Sequence, residues 1–368
     1  MPPTPLQQLI IEHIQQEGPI TFADYMRMAL YEPGYGYYVT GPAKMGWEGD
    51  YYTSTDVSTF FAHSMGRQLY QMWELLGLPT PFVVLEQGAG RGNLVKGIQA
   101  WAAQEFPNFH SALDYRSEDI NTGQDALSGE ADHPSVILSN ELVDAFPVHI
   151  VELRDKRLYE VYVTVQPDGH LYELLAEPSS PEVACYLDNY KIPWQTFEDG
   201  WRAEINLDAL RWIAQTARRL MAPSQTRKRR GFILTIDYGD KAQELYTSSR
   251  PYGTLACYFQ HQLTGRPLIR PGEQDITAHV NFSALINEGR RQGLHLHSFT
   301  TQRQWLTEMG IYEELERVRT HDFALIDSAR ASDQGQVALL QWYNVRQRVM
   351  LLTDPAGMGK FKVLILKR

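Results

Sequence analysis

Cysteine, net positive charge and long apolar runs are what this chain has least of, and each shortage removes a class of function. Its 368 residues include two cysteines, Cys185 and Cys257, too few for a disulfide framework or a cysteine-ligated zinc site. A reducing compartment fits that usage, and no metal is expected. The formal net charge is -10, which opposes tight binding to nucleic acid, because that binding is driven by cationic contacts to phosphates. A basic protein segment is the better-matched partner. No stretch approaches the ~18 to 20 apolar residues that span a bilayer, so membrane insertion is not expected. The opening MPPTPLQQLIIEHIQQEGPI has neither the long apolar core of a signal peptide nor the Arg-rich, acid-poor character of a transit peptide. The expected location is therefore the cytoplasm. The chain also lacks internal repeats and low-complexity tracts.

What is present reads as two kinds of structure. Residues 5–31 carry apolar positions at helical spacing (Leu9, Ile10, Ile14, then Phe22, Met26, Leu30) broken by Gly18 and Pro19, which predicts two helices. The loop YEPGYGYY follows, then a helix to Met72 with Thr55 or Ser58 as its N-cap. Residues 1–80 thus form an expected N-terminal helical cover. Phe82 to Glu86 is a short buried strand and Asn93 to Phe106 a helix, the opening unit of a doubly wound α/β sheet. Further strands are expected at Leu113 to Ser117, Val136 to Ser139 and Phe232 to Asp237, with Leu294 to Phe299 and Phe361 to Leu366 as a closing antiparallel pair. Between them VHIVELRD, RLYEVYVTV and HLYELLAE alternate like hairpin strands, with a turn at Pro167 to Gly169. The expected division is a Rossmann-like core over 81–147 and 205–368, interrupted by a β-rich insertion or substrate subdomain over 148–204.

The segment VVLEQGAGRGNL places Gly88, Gly90 and Gly92 after a strand that ends in Glu86. That spacing matches neither the dinucleotide fingerprint nor the phosphate loop. Glu86 would repel a pyrophosphate, whereas the sulfonium and ammonium of S-adenosylmethionine (SAM) attract a carboxylate. The loop therefore favours SAM, with another nucleotide or a purely structural turn as the alternatives. An acid for the ribose hydroxyls is expected about 20 residues on; Asp119 is the first candidate, against Glu118, Asp114 and a solvated turn acid. Asn140, Glu141 and Asp144 follow the next strand, and Asp237 ends the fifth, so several acids converge on the crevice at the sheet's carboxyl edge. Capping or hydrogen bonding within the fold is the competing role for each.

FADYMRMALYEPGYGYY, GDYYTSTDVS, LEQGAGRGNL, SNELVDAFPV, TIDYG, GTLACYFQH and PGEQDITAHVNF together resemble the MidA-like family of class I SAM-dependent methyltransferases. Its mitochondrial members are protein arginine methyltransferases acting in assembly of respiratory complex I. The resemblance runs from about residue 20 to MGKFKVLIL near the end of the chain. It implies a class I methyltransferase (Rossmann-like) fold, SAM as cofactor with S-adenosylhomocysteine as product, and a SAM site lined by Glu86, Gly88, Gly90 and Gly92 and closed by Gly49, Asp50, Thr53 and Ser54. Asn140, Glu141 and Asp144 match the family's N-E-x-x-D-A block. The family carries a third strand before that block, where this chain has only the short, polar stretch from Ile120 to Pro134.

The implied reaction is arginine N-methylation of a protein, such as an NADH dehydrogenase subunit. Guanidinium has a pKa above 12, so carboxylates must orient it and accommodate the proton it loses. Glu141 and Asp144 are the first choices, then Asp237 and Asp50. Asp50, Tyr37, His261 and His279 are candidate substrate contacts; for the histidines a core role, and for the tyrosines simple packing, are the alternatives. A small-molecule methyltransferase and a SAM-binding assembly factor without catalysis remain as other readings of the same scaffold. Association as a homodimer is compatible with all three.

Overall fold

The computed structural model of the chain describes residues 4–40, 54–119, 133–221, 230–260, 262–328 and 332–368. Helix α1 (Pro5–Glu17) starts at Thr4, whose hydroxyl accepts from the Gln7 amide. Strand β1 (Ile20–Thr21) leads into α2 (Phe22–Tyr31), where Thr21 caps the Asp24 amide and donates its hydroxyl to the Asp24 carboxylate. The first of these bonds satisfies a backbone donor that a helix start leaves open. A turn of helix, α3 (Ser54–Val57), precedes α4 (Thr59–Leu75), which is capped by Ser58.

The first βα unit is β2 (Phe82–Gln87) and α5 (Asn93–Glu105). After α6 (Pro107–Ala112) come β3 (Leu113–Glu118) and β4 (Val136–Asn140). The chain then leaves the main sheet for β5 (His149–Arg154), β6 (Arg157–Val165) and β7 (Leu171–Ala176), followed by α7 (Pro181–Asn189) and β8 (Arg202–Ile205). It returns through α8 (Leu207–Met221) to β9 (Phe232–Asp237).

Short elements follow: β10 (Gly239–Asp240), α9 (Ala242–Leu245), β11 (Ala256–Phe259), β12 (Gln262–Leu263), β13 (Asp275–Thr277) and β14 (Val280–Asn281). Helix α10 (Phe282–Arg291) and β15 (His295–Thr301) precede the helices α11 (Gln302–Glu308), α12 (Ile311–Asp322), α13 (Leu325–Ser328) and α14 (Asp333–Thr353). Strand β16 (Lys362–Lys367) ends the fold.

The main sheet has the order β15-β16-β9-β4-β2-β3. Its four strands β3, β2, β4 and β9 are parallel, and β16 inserts antiparallel between β9 and β15. This is the α/β class I methyltransferase fold. Side chains alternate across it: Val84, Leu138, Leu234 and Ile365 join one core with α4, α5 and α14, while Leu85, Ile137, Ile233 and Leu366 join another with α8 and α10. Burial on both faces is why these strands read as unbroken apolar runs. Among the described residues β3 is the sheet's edge; residues 120–132, where the family's third strand would fall, lie outside them.

The insertion departs from the expected picture by recruiting a strand from elsewhere. It forms a five-stranded sheet, β1-β6-β5-β8 with β7 also on β6, in which Ile20 pairs with Val163. Helices α1 and α2 pack on this sheet through Ile10, Phe22 and Met26 against Val161 and Val163. Residues 4–40 and 54–75 therefore serve two cores, with α1 and α2 on the inserted sheet and α4 on the main one. The short strands β10 to β14 were not anticipated; β10, β11 and β13 line the crevice beside the end of β9.

Candidate functional site

The site forms where β2, β4 and β9 end. After β2 the three glycines take left-handed backbone, with φ of 74° at Gly88, 52° at Gly90 and 67° at Gly92, which side chains other than glycine rarely adopt. The amides of this loop are already engaged. Gly88 donates to the Glu118 carbonyl at 2.8 Å, Gly92 to the Ala89 carbonyl at 3.0 Å, and Gly90 to the Asp119 carboxylate at 3.0 Å. A loop whose N–H groups are spent in this way offers no nest to a pyrophosphate; it presents carbonyls and bare Cα surfaces instead. Asp119 is thus tied to the loop, whereas its competitors are paired elsewhere, Glu118 with Arg219 at 2.6 Å and Asp114 with Arg116 at 2.7 Å.

Glu86 lies beneath the loop, 3% exposed. The Tyr115 hydroxyl donates to it at 3.0 Å. Burial pushes its carboxyl up to about 7, opposed by the Tyr115 bond and assisted by the nearby charge of Asp119.

The N-E-x-x-D turn follows β4. Glu141 has a φ of 51°, a strained conformation for a non-glycine residue. Its amide is held by the Ile236 carbonyl at 2.9 Å, and its carboxylate accepts from the Ser54 amide at 2.8 Å and from Asn140 Nδ2 at 3.3 Å. Glu141 is half-buried and lines the cleft; burial raises its carboxyl to about 7 against the Ser54 bond, and Asp144 adds to the rise. Asp144 is 4% exposed and raised to about 6, again mainly by burial, while a hydrogen bond with Tyr238 pulls it down. Two buried acceptors at this turn, Asn140 Oδ1 and Asp144 Oδ1, have no donor among the described residues.

Asp237 occupies a different place from the one its sequence position suggests. It is fully buried, its Oδ2 accepts from the Val143 and Asp144 amides at 2.9 and 3.3 Å, and its Oδ1 accepts from the Tyr238 amide at 2.9 Å. Burial and then the charges of Asp144 and Glu141 raise its carboxyl. Its carboxylate is committed to holding the turn that carries Asp144.

A cleft of about 940 Å³ opens beside this turn, lined by Glu141, Tyr238, Asp275, Thr277, His279 and Lys360 among others. His279 lines it, with its ring 5.8 Å from that of Tyr238, and is pushed down to about 4 by desolvation first and then by Arg250 and Lys360. Tyr37 corrects the expectation: it is 1% exposed and belongs to the core between α2 and the inserted sheet. Its neighbour Tyr38 is the one aimed at the site, donating to Asp275 at 2.7 Å. Asp50, Thr53 and His261, with Gly49, lie outside the described residues. Sequence reasoning missed Tyr238, Arg250, Arg303 and Lys360. Tyr238 and Lys360 sat within quoted blocks, but nothing local marked them as cleft residues. Among the described residues no group of His, Cys, Asp and Glu could hold a metal, and no helix is long and apolar enough to cross a membrane.

Comparison with known proteins bears on this geometry. Residues 64–300 match the model of a family described as "Putative S-adenosyl-L-methionine-dependent methyltransferase". Among curated relatives, the Drosophila melanogaster protein arginine methyltransferase NDUFAF7 homolog, mitochondrial, is 27% identical over 96% of this chain and 82% of its own length. The Homo sapiens protein arginine methyltransferase NDUFAF7, mitochondrial, is 25% identical over 98% and 82% respectively. A crystal structure from Burkholderia thailandensis, bound to S-adenosyl-homocysteine, superposes with a TM-score of 0.80 at 28% identity, covering 99% of this chain and 92% of that one. The cytoplasmic expectation is overturned by the relatives, which are mitochondrial proteins; the character of the N-terminus was not a sufficient guide.

Proposed function

The chain belongs to the family of S-adenosyl-L-methionine-dependent methyltransferases, and from that premise we propose that it methylates a guanidinium nitrogen of arginine in a protein, an NADH dehydrogenase (complex I) subunit or a similar one. The observation that carries this reading is the Glu141 carboxylate on the lining of the cleft, with Asp144 buried behind it in the same turn. A guanidinium is the chemical complement of that carboxylate, with five N–H donors and no acceptor, and a carboxylate engages it through charge-assisted bonds.

The residues around the glycine loop fit the cofactor. Glu86 and the orphaned Asn140 Oδ1 are acceptors for a cationic, donor-bearing ligand, and the occupied loop amides disfavour a phosphate. Glu86, Gly88, Gly90, Gly92, Asp119 and Asn140 would hold SAM, with Thr53 and Ser54 closing over it. When bound, SAM supplies a methyl group already activated on a sulfonium. The chain's own task is to hold the arginine in line and exclude water. Glu141, raised to about 7, accepts the proton that leaves the guanidinium nitrogen as the N–C bond forms and the S–C bond breaks. Tyr238, on the cleft lining and hydrogen-bonded to the buried Asp144, orients the remaining N–H groups, and Asp237 acts as a positioning residue through the turn.

Incubation with methyl-labelled SAM and an extract of cells lacking the gene, followed by hydrolysis of the protein fraction, tests this. Labelled methylarginine is expected, reduced about 10²- to 10⁴-fold by Glu141→Gln, the range for loss of a general base. Absence of label in protein, with SAM binding demonstrated, would overturn the arginine reading.

A further inference from the structure

Arginine methylation requires a cation to enter the cleft, yet the outer wall of that cleft is itself basic. Among the described residues four cations line it, Arg250, Arg303, Lys360 and Lys362, against the acids Glu141, Asp240 and Asp275. Lys362 and Asp240 neutralise each other at 2.9 Å. Asp275 is buried and accepts from the Tyr38 hydroxyl, and Glu141 sits on the floor, engaged with Ser54. That leaves Arg250, Arg303 and Lys360. Arg250 is anchored through the Leu245 carbonyl at 3.2 Å, Arg303 and Lys360 are exposed, and none of the three has an ion-pair partner among the described residues. Arg250 and Lys360 also act on one ring, since both disfavour a proton on His279; they flank the same part of the cleft.

Size points the same way. Pockets for small ligands span roughly 300 to 1,000 Å³, so a cleft of about 940 Å³ has room for residues on either side of one arginine side chain. We propose that Arg250, Arg303 and Lys360 form a selectivity wall that docks Asp or Glu residues flanking the target arginine, while the arginine itself reaches Glu141. This rests on the arginine reading above and deepens it by naming the substrate context. It also reverses what the net charge of -10 suggests for partners. At physiological salt a charge is felt over about 8 Å, so the local wall outweighs the distant surface.

The test uses arginine peptides identical except for their flanks, acidic in one and uncharged in the other. Methyl transfer and binding are read separately, the latter with fluorescent versions carrying citrulline in place of arginine. The acidic peptide is expected to show roughly tenfold higher kcat/KM, the yield of a few exposed ion pairs, and proportionately tighter binding, both declining as salt is raised. In the double variant Arg303→Glu/Lys360→Glu the preference inverts toward a lysine-flanked peptide. Equal kcat/KM and equal binding of the two peptides by the native protein overturns the proposal without recourse to any variant. Acid-selective binding without transfer to arginine would support the wall and count against the arginine reading, whereas transfer without selectivity would do the reverse.

Discussion

A carboxylate ahead of a glycine turn serves a cationic ligand only when ionised, and Glu86 is held close to the point where it is not. Its burial raises the carboxyl to about 7, and only the Tyr115 hydroxyl, at 3.0 Å, offsets that. Binding of SAM to the ionised form therefore competes with protonation. The apparent affinity is expected to rise about tenfold per pH unit up to the carboxyl's own value and to level off above it, because only the ionised fraction is competent. Glu86→Gln should bind more weakly at neutral pH and lose the pH dependence. Isothermal titration of the native protein and the variant between pH 5.5 and 8.5 measures this; a slope that survives in the variant would assign the titration to another group. Neighbouring tyrosines illustrate a different residue-scale lesson. Tyr37 and Tyr38 are adjacent in one aromatic loop, and one fills a core while the other bonds Asp275. Their identities alone could not order them, since the turn of the backbone decides which ring faces inward.

At the scale of elements, α4 and α5 approach closely behind the glycine loop. A Cβ added at Gly97 would stand 2.5 Å from the Ala62 Cβ, so Gly97→Ala must drive the helices apart. Overpacking of this kind costs about 1–3 kcal/mol, and α5 begins at the end of the glycine loop, so SAM affinity should fall together with the melting temperature. Ala62→Gly in the same background is expected to restore both, because it returns the space the added methyl requires. Failure of that rescue would locate the defect elsewhere. Elements of this kind differ in how legible they are. Strands β2, β4, β9 and β16 could be read as FVVLEQ, VILSN, FILTID and KVLILK because both faces of the sheet are buried. Strand β1 could not, because two residues carry no period and its partner Val163 lies far along the chain. The acids of the site were legible as a cluster, since they follow strand ends, but an acid that faces a cleft and one that holds a turn look alike in sequence. Asp237 is the second kind, identified only by its three backbone donors.

For the whole molecule the balance of buried carboxyls sets how stability depends on pH. Glu86 and Glu141 are raised to about 7 and Asp144 to about 6, with Asp237 and Glu204 also raised, each chiefly by burial. A raised carboxyl favours the folded state fully below its unfolded value, near 4, and that contribution is lost as pH climbs through the folded value. Glu160 and Glu314 are lowered by the hydrogen bonds of His149 and of His63 and Arg67, so their contribution is lost only when pH falls into the acid range. The ligand-free protein is thus expected to melt highest in mildly acidic buffer and progressively lower between about pH 5 and pH 8, with self-repulsion of an acidic chain acting in the same direction. Glu86 alone accounts for an effect on the order of 3 kcal/mol at the upper end. SAM should oppose the trend, since a cationic ligand favours the ionised acids: at a hundredfold excess over its Kd it adds about 2.7 kcal/mol, and more protection is expected at pH 8 than at pH 6 when its concentration is held fixed. Thermal unfolding followed across that range, with and without SAM, measures both limbs. A ligand-free melting temperature that rises with pH would mean that the site acids are ionised at no cost, and that the carboxyl cluster is not the strained, ligand-seeking element its burial implies.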